Sequence, residues 1–262
     1  MASYKPVTAA LRSLEVLATV NSLYGRGTVG DIHHQTGINK STVVRMLETL
    51  IAAGYVVRNA EELTYAVTGK TLSLSASFDR HKTIVNIIAP LLQDFRQTIG
   101  WPSDVALFDH HEMLVVESSR LAGPLSFNRS PGFSAPVLGT SLGLAYLAFC
   151  PEETRMAFLA SVDPEDGPWN TLANNPIQLE TILKTVRECG YATMQPQYSA
   201  QEYNGRIDSV GVPIMDGQTV LAAVNVIYLK QTLSFETVLE SVVPKLKKVA
   251  AEMGQALAAR SN

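Results

Sequence analysis

Residues 38–56, INKSTVVRMLETLIAAGYV, decide how the first part of the chain folds. Val43, Met46, Leu47, Leu50 and Ile51 recur at three- and four-residue steps, which predicts a helix with one apolar stripe. Asn39 is its start signal and Gly54 its stop. Once the stripe is buried, Lys40, Ser41, Thr42, Val44, Arg45, Glu48 and Thr49 remain on the other side.

The flanking sequence gives this helix a context. Over residues 8–24, Leu11, Leu14, Val16, Leu17 and Val20 predict a helix closed by Gly25 and Gly27. Thr28 and Asp31 have the spacing of a capping box and open a short helix, Val29 to Gln35, that Gly37 ends. Downstream, Tyr55–Arg58 and Leu63–Val67 read as two short strands around a polar turn, Asn59 to Glu62. Helix, short helix, glycine turn, helix and hairpin form the order of a winged helix-turn-helix. In that motif the front of the last helix enters a DNA major groove. Lys40 suits phosphate, Ser41 and Thr42 suit phosphate or base edges, and Arg45 has the fork that matches guanine. With Asn39, Val44, Thr49 and Arg58 at the base of the wing, these are the expected DNA-binding residues. Lys5 and Arg12 fit either a phosphate contact or plain surface charge.

Charge permits this reading without demanding it. The chain carries 21 Lys and Arg against 24 Asp and Glu, a formal net charge of −3, yet residues 1–67 hold six basic against five acidic side chains. His33 and His34 are adjacent on a helix and point about 100° apart, so they cannot chelate one ion from one face. Cys150 and Cys189 are too few for a disulfide framework or a four-ligand zinc site and read as small buried hydrophobes. Neither metal nor cofactor is expected. No apolar run is long enough for a membrane span, and the first residues lack the apolar core of a secretion leader. A cytoplasmic protein with no membrane partner is the expectation.

The remaining sequence divides into a linker and a larger domain. TGKTLSLSAS (68–77) is serine-rich, and the divisions expected are 1–67, a helical linker over 68–82, and 83–262. A long helix should run from about 83 to Ile99, and strands are expected at Asp104–Phe108, Met113–Ser118 and Leu125–Phe127. Helices should cover Ser141–Phe149, Pro151–Ala160 and Ile177–Cys189. Strands Ile207–Ile214 and Val220–Tyr228 flank the Asp216-Gly217 turn signal, and a last helix covers Phe235 to Ala259. Hairpins of strands with helices between and around them indicate an α+β fold with an antiparallel sheet.

Gly139-Thr140-Ser141-Leu142-Gly143 matches G-x-S-x-G, the nucleophile-elbow pattern of hydrolases. Such a triad needs a histidine after the serine in chain order, whereas all five histidines (33, 34, 81, 110 and 111) precede Ser141. Phe133-Ser134-Ala135-Pro136 also interrupts any strand before it. An enzyme is therefore not expected. The first backbone N–H groups of a helix starting at Ser141 and Leu142 are instead a ready site for a carboxylate, although a plain N-cap with a close-packing glycine would use the same residues. The rival to a gene regulator is a hydrolase-type or ligand-binding protein whose winged helix serves protein contacts.

The run INKSTVVRMLETLIAAGYV resembles the recognition helix of the IclR family of bacterial regulators. APVLGTSLGLAYLAF (135–149), ECGYA (188–192) and GVPIMDGQTVLAAVNV (211–226) are similar to its second domain. The resemblance spans nearly the whole chain. It implies a GAF-like effector domain, a homodimer or homotetramer on an operator, RNA polymerase as a partner if the protein activates, and an effector cavity on one face of the sheet. Carried over by position, that cavity takes in Phe127, Ala135, Tyr198, Asp208, Asn225 and Ile227 beside Ser141 and Leu142. Arg129 either pairs with the ligand or lies in solvent. Asp208 stands where the glyoxylate- and pyruvate-responding type has cysteine, and Asn225 and Ile227 where it has serines. A larger, partly apolar lining with an acceptor for a phenol suggests a hydroxylated aromatic acid held between the start of the Ser141 helix and Asp208.

Overall fold

The computed structural model describes residues 5–75, 79–119 and 131–259, and the chain divides into two compact units, residues 1–79 and 80–262. In the first unit, α1 (Thr8–Ser22), α2 (Val29–Thr36) and α3 (Lys40–Ala52) precede a hairpin of β1 (Val56–Asn59) and β2 (Thr64–Val67). The reciprocal Thr28–Asp31 capping box is present, and Gly37 takes the left-handed conformation that lets α3 turn away from α2. Val16, Val20, Ile32 and Val43 are fully buried, with Leu47 and Leu50 beside them. The Tyr65 N–H donates to the Gly27 carbonyl at 2.9 Å, which ties the segment before α2 to β2 of the wing.

Three residues expected in the buried stripes are not there. Leu11 and Leu14 are 56% and 62% exposed, and Ile51 is 38% exposed. Helix α1 is apolar on two sides, and its core side is the one that carries Ser13, Val16, Leu17 and Val20. Ser13 donates to the Met46 sulfur of α3 at 2.8 Å on that side. Periodicity alone could not say which side faces α3. Residues Gly69–Ser75 form a 3-10 stretch, and α4 (Asp79–Ile99) starts four residues before the expected position. Its first turn, Asp79-Arg80-His81-Lys82, contains no apolar residue to signal it.

The second unit is built on a six-stranded, fully antiparallel sheet. Its strands are β3 (Asp104–Asp109), β4 (Glu112–Ser118), β5 (Ser134–Pro136), β6 (Ala192–Thr193), β7 (Ile207–Asp216) and β8 (Thr219–Leu229), in spatial order β5-β4-β3-β8-β7-β6. The expected strand Leu125–Phe127 lies outside the described residues. The segment read as an interruption, Ser134–Pro136, is a short strand paired to β4, because an edge position tolerates a proline that cannot donate.

Helices cover both faces of this sheet. On one face lie α5 (Ser141–Phe149), α7 (Pro176–Cys189) and α8 (Pro196–Tyr203), packed over Ala106, Met113, Val115, Ala135 and Ala223. On the other lie α4 and α10 (Val243–Ala258), packed over Val105, Val210, Val212, Ile214, Val224, Val226 and Tyr228. The α6 helix (Glu152–Ser161) connects α5 to two 3-10 stretches ahead of α7. The single terminal helix expected over 235–259 is divided into α9 (Phe235–Thr237), a π-helical turn over Val238–Val242, and α10. Pro244 has no N–H to give the carbonyl four residues back, and the Val243 N–H reaches Val238 instead.

Glycines allow close backbone approaches in this unit, among them one at Gly254 and one at Gly211. A Cβ on Gly254 of α10 would stand 2.0 Å from the Met215 carbonyl oxygen of β7, and one on Gly211 of β7 would stand 2.6 Å from the Ser141 carbonyl oxygen of α5. Gly254→Ala is therefore expected to lower stability by roughly 1–3 kcal/mol through forced separation of helix and strand. Calorimetric melting would register this as a drop of several degrees, and an unchanged melting temperature would show that the contact is not tight.

Candidate functional site

Helix α3 presents its polar side because its apolar side is held on α1 and α2. The Asn39 side chain caps the helix, accepting from the Ser41 N–H at 3.0 Å and from the Ser41 hydroxyl at 2.9 Å. The Ser41 proton is thus already committed, and the Thr49 hydroxyl donates within the helix to the Arg45 carbonyl at 2.8 Å. Thr42 is half-buried, whereas Lys40, Val44 and Arg45 are exposed. Among the described residues no carboxylate pairs with Lys40, Arg45 or Arg58. With no ion pair of their own among the described residues, these three cations are placed to neutralise an external anion. On β1, Arg58 is exposed and sits opposite Tyr65, and the Asn59 side chain closes the turn at the wing tip by accepting from the Glu61 N–H. His33 is tied by Nδ1 to the Ile38 carbonyl at 2.7 Å while His34 is exposed, and no metal-capable cluster exists among the described residues.

In the second unit, sheet alternation sorts the expected effector residues. The Ser141 hydroxyl of α5 meets the Ser209 hydroxyl of β7 at 2.7 Å, and Gly211, two residues on, lies beneath the Ser141 backbone. Asn225 is paired with Gly211, and Ile227 with Ser209, so both lie on this same α5 face. Ala135 and Tyr198 belong to the core on that face as well. Tyr198 and Trp169 meet edge to face at 4.8 Å and press on Gly139, just ahead of the α5 start. Thr140 caps α5, accepting from the Gly143 N–H at 3.1 Å. Among the described residues nothing accepts from the Ser141 or Leu142 backbone N–H.

Asn225 is 1% exposed, and its Oδ1 accepts from the Asp104 N–H at 2.8 Å. Ser209 was not among the residues expected from the sequence. A count of every second residue along β7, anchored on Gly211, would have found it.

Asp208 does not join this group. It is paired with Tyr228, whose side chain is part of the α4 and α10 face, so the two-residue alternation turns Asp208 away from α5. A single ligand cannot bridge the α5 start and Asp208 through the sheet. Asp208 instead lies 3.6 Å from Lys230. Burial raises its carboxyl above the ordinary range despite the Ser209 N–H and Lys230, and burial together with the Asp208 charge raises the Tyr228 hydroxyl. Phe127 and Arg129 lie outside the described residues. The G-x-S-x-G serine has Ser209 rather than a base beside it, and the last histidine, His111, bonds Ser161 at 2.8 Å.

A winged helix-turn-helix with exposed cations on its third helix, followed by a helix-covered antiparallel sheet, defines a DNA-binding regulator with a separate sensory unit. Residues 9–60 match the IclR helix-turn-helix domain, and residues 76–255 match the bacterial transcriptional regulator IclR C-terminal domain. The chain belongs to the IclR family of bacterial DNA-binding transcriptional regulators. It is 26% identical over 222 residues to the Pca regulon regulatory protein of Pseudomonas putida, covering 84% of this chain and 74% of that one. It is 23% identical to the transcriptional repressor IclR of Escherichia coli (strain K12), covering 71% and 68%. These relatives are regulators, not enzymes. Among solved structures, Thermotoga maritima IclR superposes with a TM-score of 0.69 at 22% identity, covering 95% of this chain and 98% of that one. An IclR homolog from Microbacterium hydrocarbonoxydans, complexed with 4-hydroxybenzoate, gives 0.68 at 22% identity, covering 96% and 100%. No helix among the described residues is long and apolar enough to cross a membrane.

The raised Asp208 carboxyl carries a pH consequence. A carboxyl raised on folding favours the folded state when protonated, and that contribution is lost as pH rises. Asp208→Asn is expected to melt higher than the parent near pH 7, with the gap closing as pH falls into the ordinary carboxylate range. A gap that widens on acidification would show that the Lys230 pairing outweighs burial.

Proposed function

We propose that this chain is an effector-responsive regulator that reads operator DNA through α3 and senses a hydroxylated aromatic acid on the α5 face of its second unit. The reading of DNA rests on one observation above the others: Lys40, Arg45 and Arg58 stand exposed without a counter-charge among the described residues. Lys40 and Arg58 hold phosphate, with Asn39, Ser41 and Thr42 setting the register of the helix on the backbone. Arg45 takes a guanine edge, and Val44 and Thr49 line the groove beside it. The protein acts as a homodimer or homotetramer, meets RNA polymerase if it activates, and works in the cytoplasm.

The effector assignment rests on the chemistry gathered around Ser141. The Ser141 and Leu142 N–H groups at the positive end of α5 receive the carboxylate. Ala135, Leu142, Tyr198 and Ile227 supply apolar lining, and the Asn225 amide donates to the ring hydroxyl. WPSDV (101–105), LAFCPE (147–152) and AAVNVIY (222–228) look most like the family member that activates catabolism of 3-(3-hydroxyphenyl)propionate. A relative regulates the Pca regulon, and a related fold was crystallised with 4-hydroxybenzoate. All three favour aromatic-acid catabolism as the regulated process. Ligand acts by population shift, since it can move the regulator between states only by its differential affinity for them.

Fluorescence anisotropy with DNA from upstream of the gene tests the first part. Arg45→Ala should lose about 1–3 kcal/mol of discrimination between operator and scrambled DNA, and an undiminished preference would remove Arg45 as a base reader. Isothermal calorimetry tests the second. Hydroxybenzoates and hydroxyphenylpropionates should bind while pyruvate does not. Asn225→Ala should weaken only the hydroxylated acids, by about tenfold, and Asp208→Asn should leave them unchanged. Binding of pyruvate alone would overturn the aromatic assignment.

A further inference from the structure

Strand β3 opens on a carboxylate that faces the same way as the Ser141 group. Val105 and Leu107 pack with α4 and α10, and Ala106 and Phe108 with α5, so the two-residue alternation turns Asp104 to the α5 side. Register settles its neighbours across the sheet. Asp104 is paired with Ser118 of β4, Val105 with Val224 of β8, and the Asp104 N–H donates to the Asn225 side chain at 2.8 Å. Asn225 is in turn paired with Gly211, which lies beneath the Ser141 backbone. Asp104, Asn225 and Gly211 thus form one row across β3, β8 and β7 that ends under the start of α5.

Asp104 is 2% exposed, so this row carries its carboxylate inside the unit and not at the surface. The strand is fixed from the other face. Arg96 of α4 donates from Nε to the Ser103 hydroxyl at 3.0 Å, from Nη2 to the Ser103 carbonyl at 2.6 Å, and from Nη1 to Glu117 at 3.1 Å. The backbone that carries Asp104 is therefore held by the protein itself, and a group set in place beforehand loses less freedom on binding.

An ionised carboxylate only accepts hydrogen bonds, and it repels a second anion. A ring hydroxyl both donates and accepts, so one hydroxyl can accept from the Asn225 amide while giving its own proton to Asp104. Two strand spacings, about 10 Å, separate the Gly211 and Asp104 ends of the row. One substituted benzene ring with a hydrogen bond at each end spans that interval. We propose that Asp104 is the residue that selects a ring hydroxyl at the end of the effector remote from its carboxylate. Its charge also sets the orientation, since the ligand carboxylate is driven toward the start of α5. Asp104 has other interactions within the chain, and the two oxygens of a carboxylate offer about four acceptor positions, enough to share. This inference rests on the aromatic-acid reading proposed above.

Isothermal calorimetry on the full-length chain tests it with matched acids: 3- and 4-hydroxybenzoate against benzoate, and hydroxyphenylpropionates against 3-phenylpropionate. The parent should prefer the hydroxylated acid by about tenfold or more. Asp104→Ala should cut that preference by about tenfold while binding the unhydroxylated acid at least as well, because a repelling charge has gone. Asp104→Asn should cut it less, since the amide oxygen still accepts without the charge. Calorimetric melting shows which variants fold. A check that needs no variant uses the matching fluorobenzoates on the parent. Fluorine takes the place of the hydroxyl without its proton, and these acids should bind no better than benzoate. An unchanged preference in a folded variant, equal weakening of both members of a pair, or a fluorobenzoate that matches its hydroxybenzoate would overturn the role of Asp104 alone. A parent that binds no aromatic acid, or binds without regard to the hydroxyl, would overturn the effector reading itself.

Discussion

The arrangement depends first on the contact that pins α3. Val43, Leu47 and Leu50 share a core with Val16 and Val20 of α1 and Ile32 of α2, and nearly every atom of these side chains is out of water. Each such aliphatic side chain contributes roughly 1.5–3 kcal/mol when fully buried. The summed effect leaves α3 one rotational setting about its axis. Lys40, Val44 and Arg45 then project outward because the helical repeat allows nothing else once the stripe is fixed. The Thr28–Asp31 box, the left-handed Gly37 and the Asn39 cap set the angle at which α3 leaves α2. Packing specifies the orientation and capping specifies the register, and the chemistry of the surface follows from both.

The second unit uses the two-residue period of a sheet for the same purpose. Gly211 lets α5 settle on β7, and from that point every other residue of β7 and β8 faces the helix start. Ser209, Asn225 and Ile227 are thereby gathered beside Ser141, while Asp208, Tyr228 and Lys230 form a separate charged and aromatic group on the opposite side. A displacement of one residue along a strand exchanges the α5 face of the sheet for the α4 and α10 face. The distinction matters for effector chemistry, because a buried amide donor and a buried carboxylate select different ligand groups.

Much of this was legible in the sequence, for identifiable reasons. Helix α3 could be read because its stripe, cap and terminal glycine agree with one another, and α5 because residues 141–149 are mostly apolar. The long hairpin of β7 and β8 was announced by Asp216-Gly217. What escaped was information that a linear pattern does not contain. Leu11 and Leu14 fit the same period as Val16 and Val20, and only the position of α3 tells the two sides of α1 apart. Strands β5 and β6, of three and two residues, are too short to display alternation, and Pro136 argues against the first. The face occupied by Asp208 depended on a register carried from a resemblance, which one residue of misalignment inverts. The π-helical turn before Pro244 arises from a missing donor and leaves the apolar periodicity intact.

The central claim is that the outer side of α3 meets the phosphate backbone and bases of a duplex. It is tested most directly by the salt dependence of operator binding in the parent and in Lys40→Ala. Removing one phosphate contact should lower affinity for all sequences alike and reduce the slope of log affinity against log salt concentration by about one. An unchanged slope and affinity in a folded Lys40→Ala protein would mean that α3 does not lie against DNA.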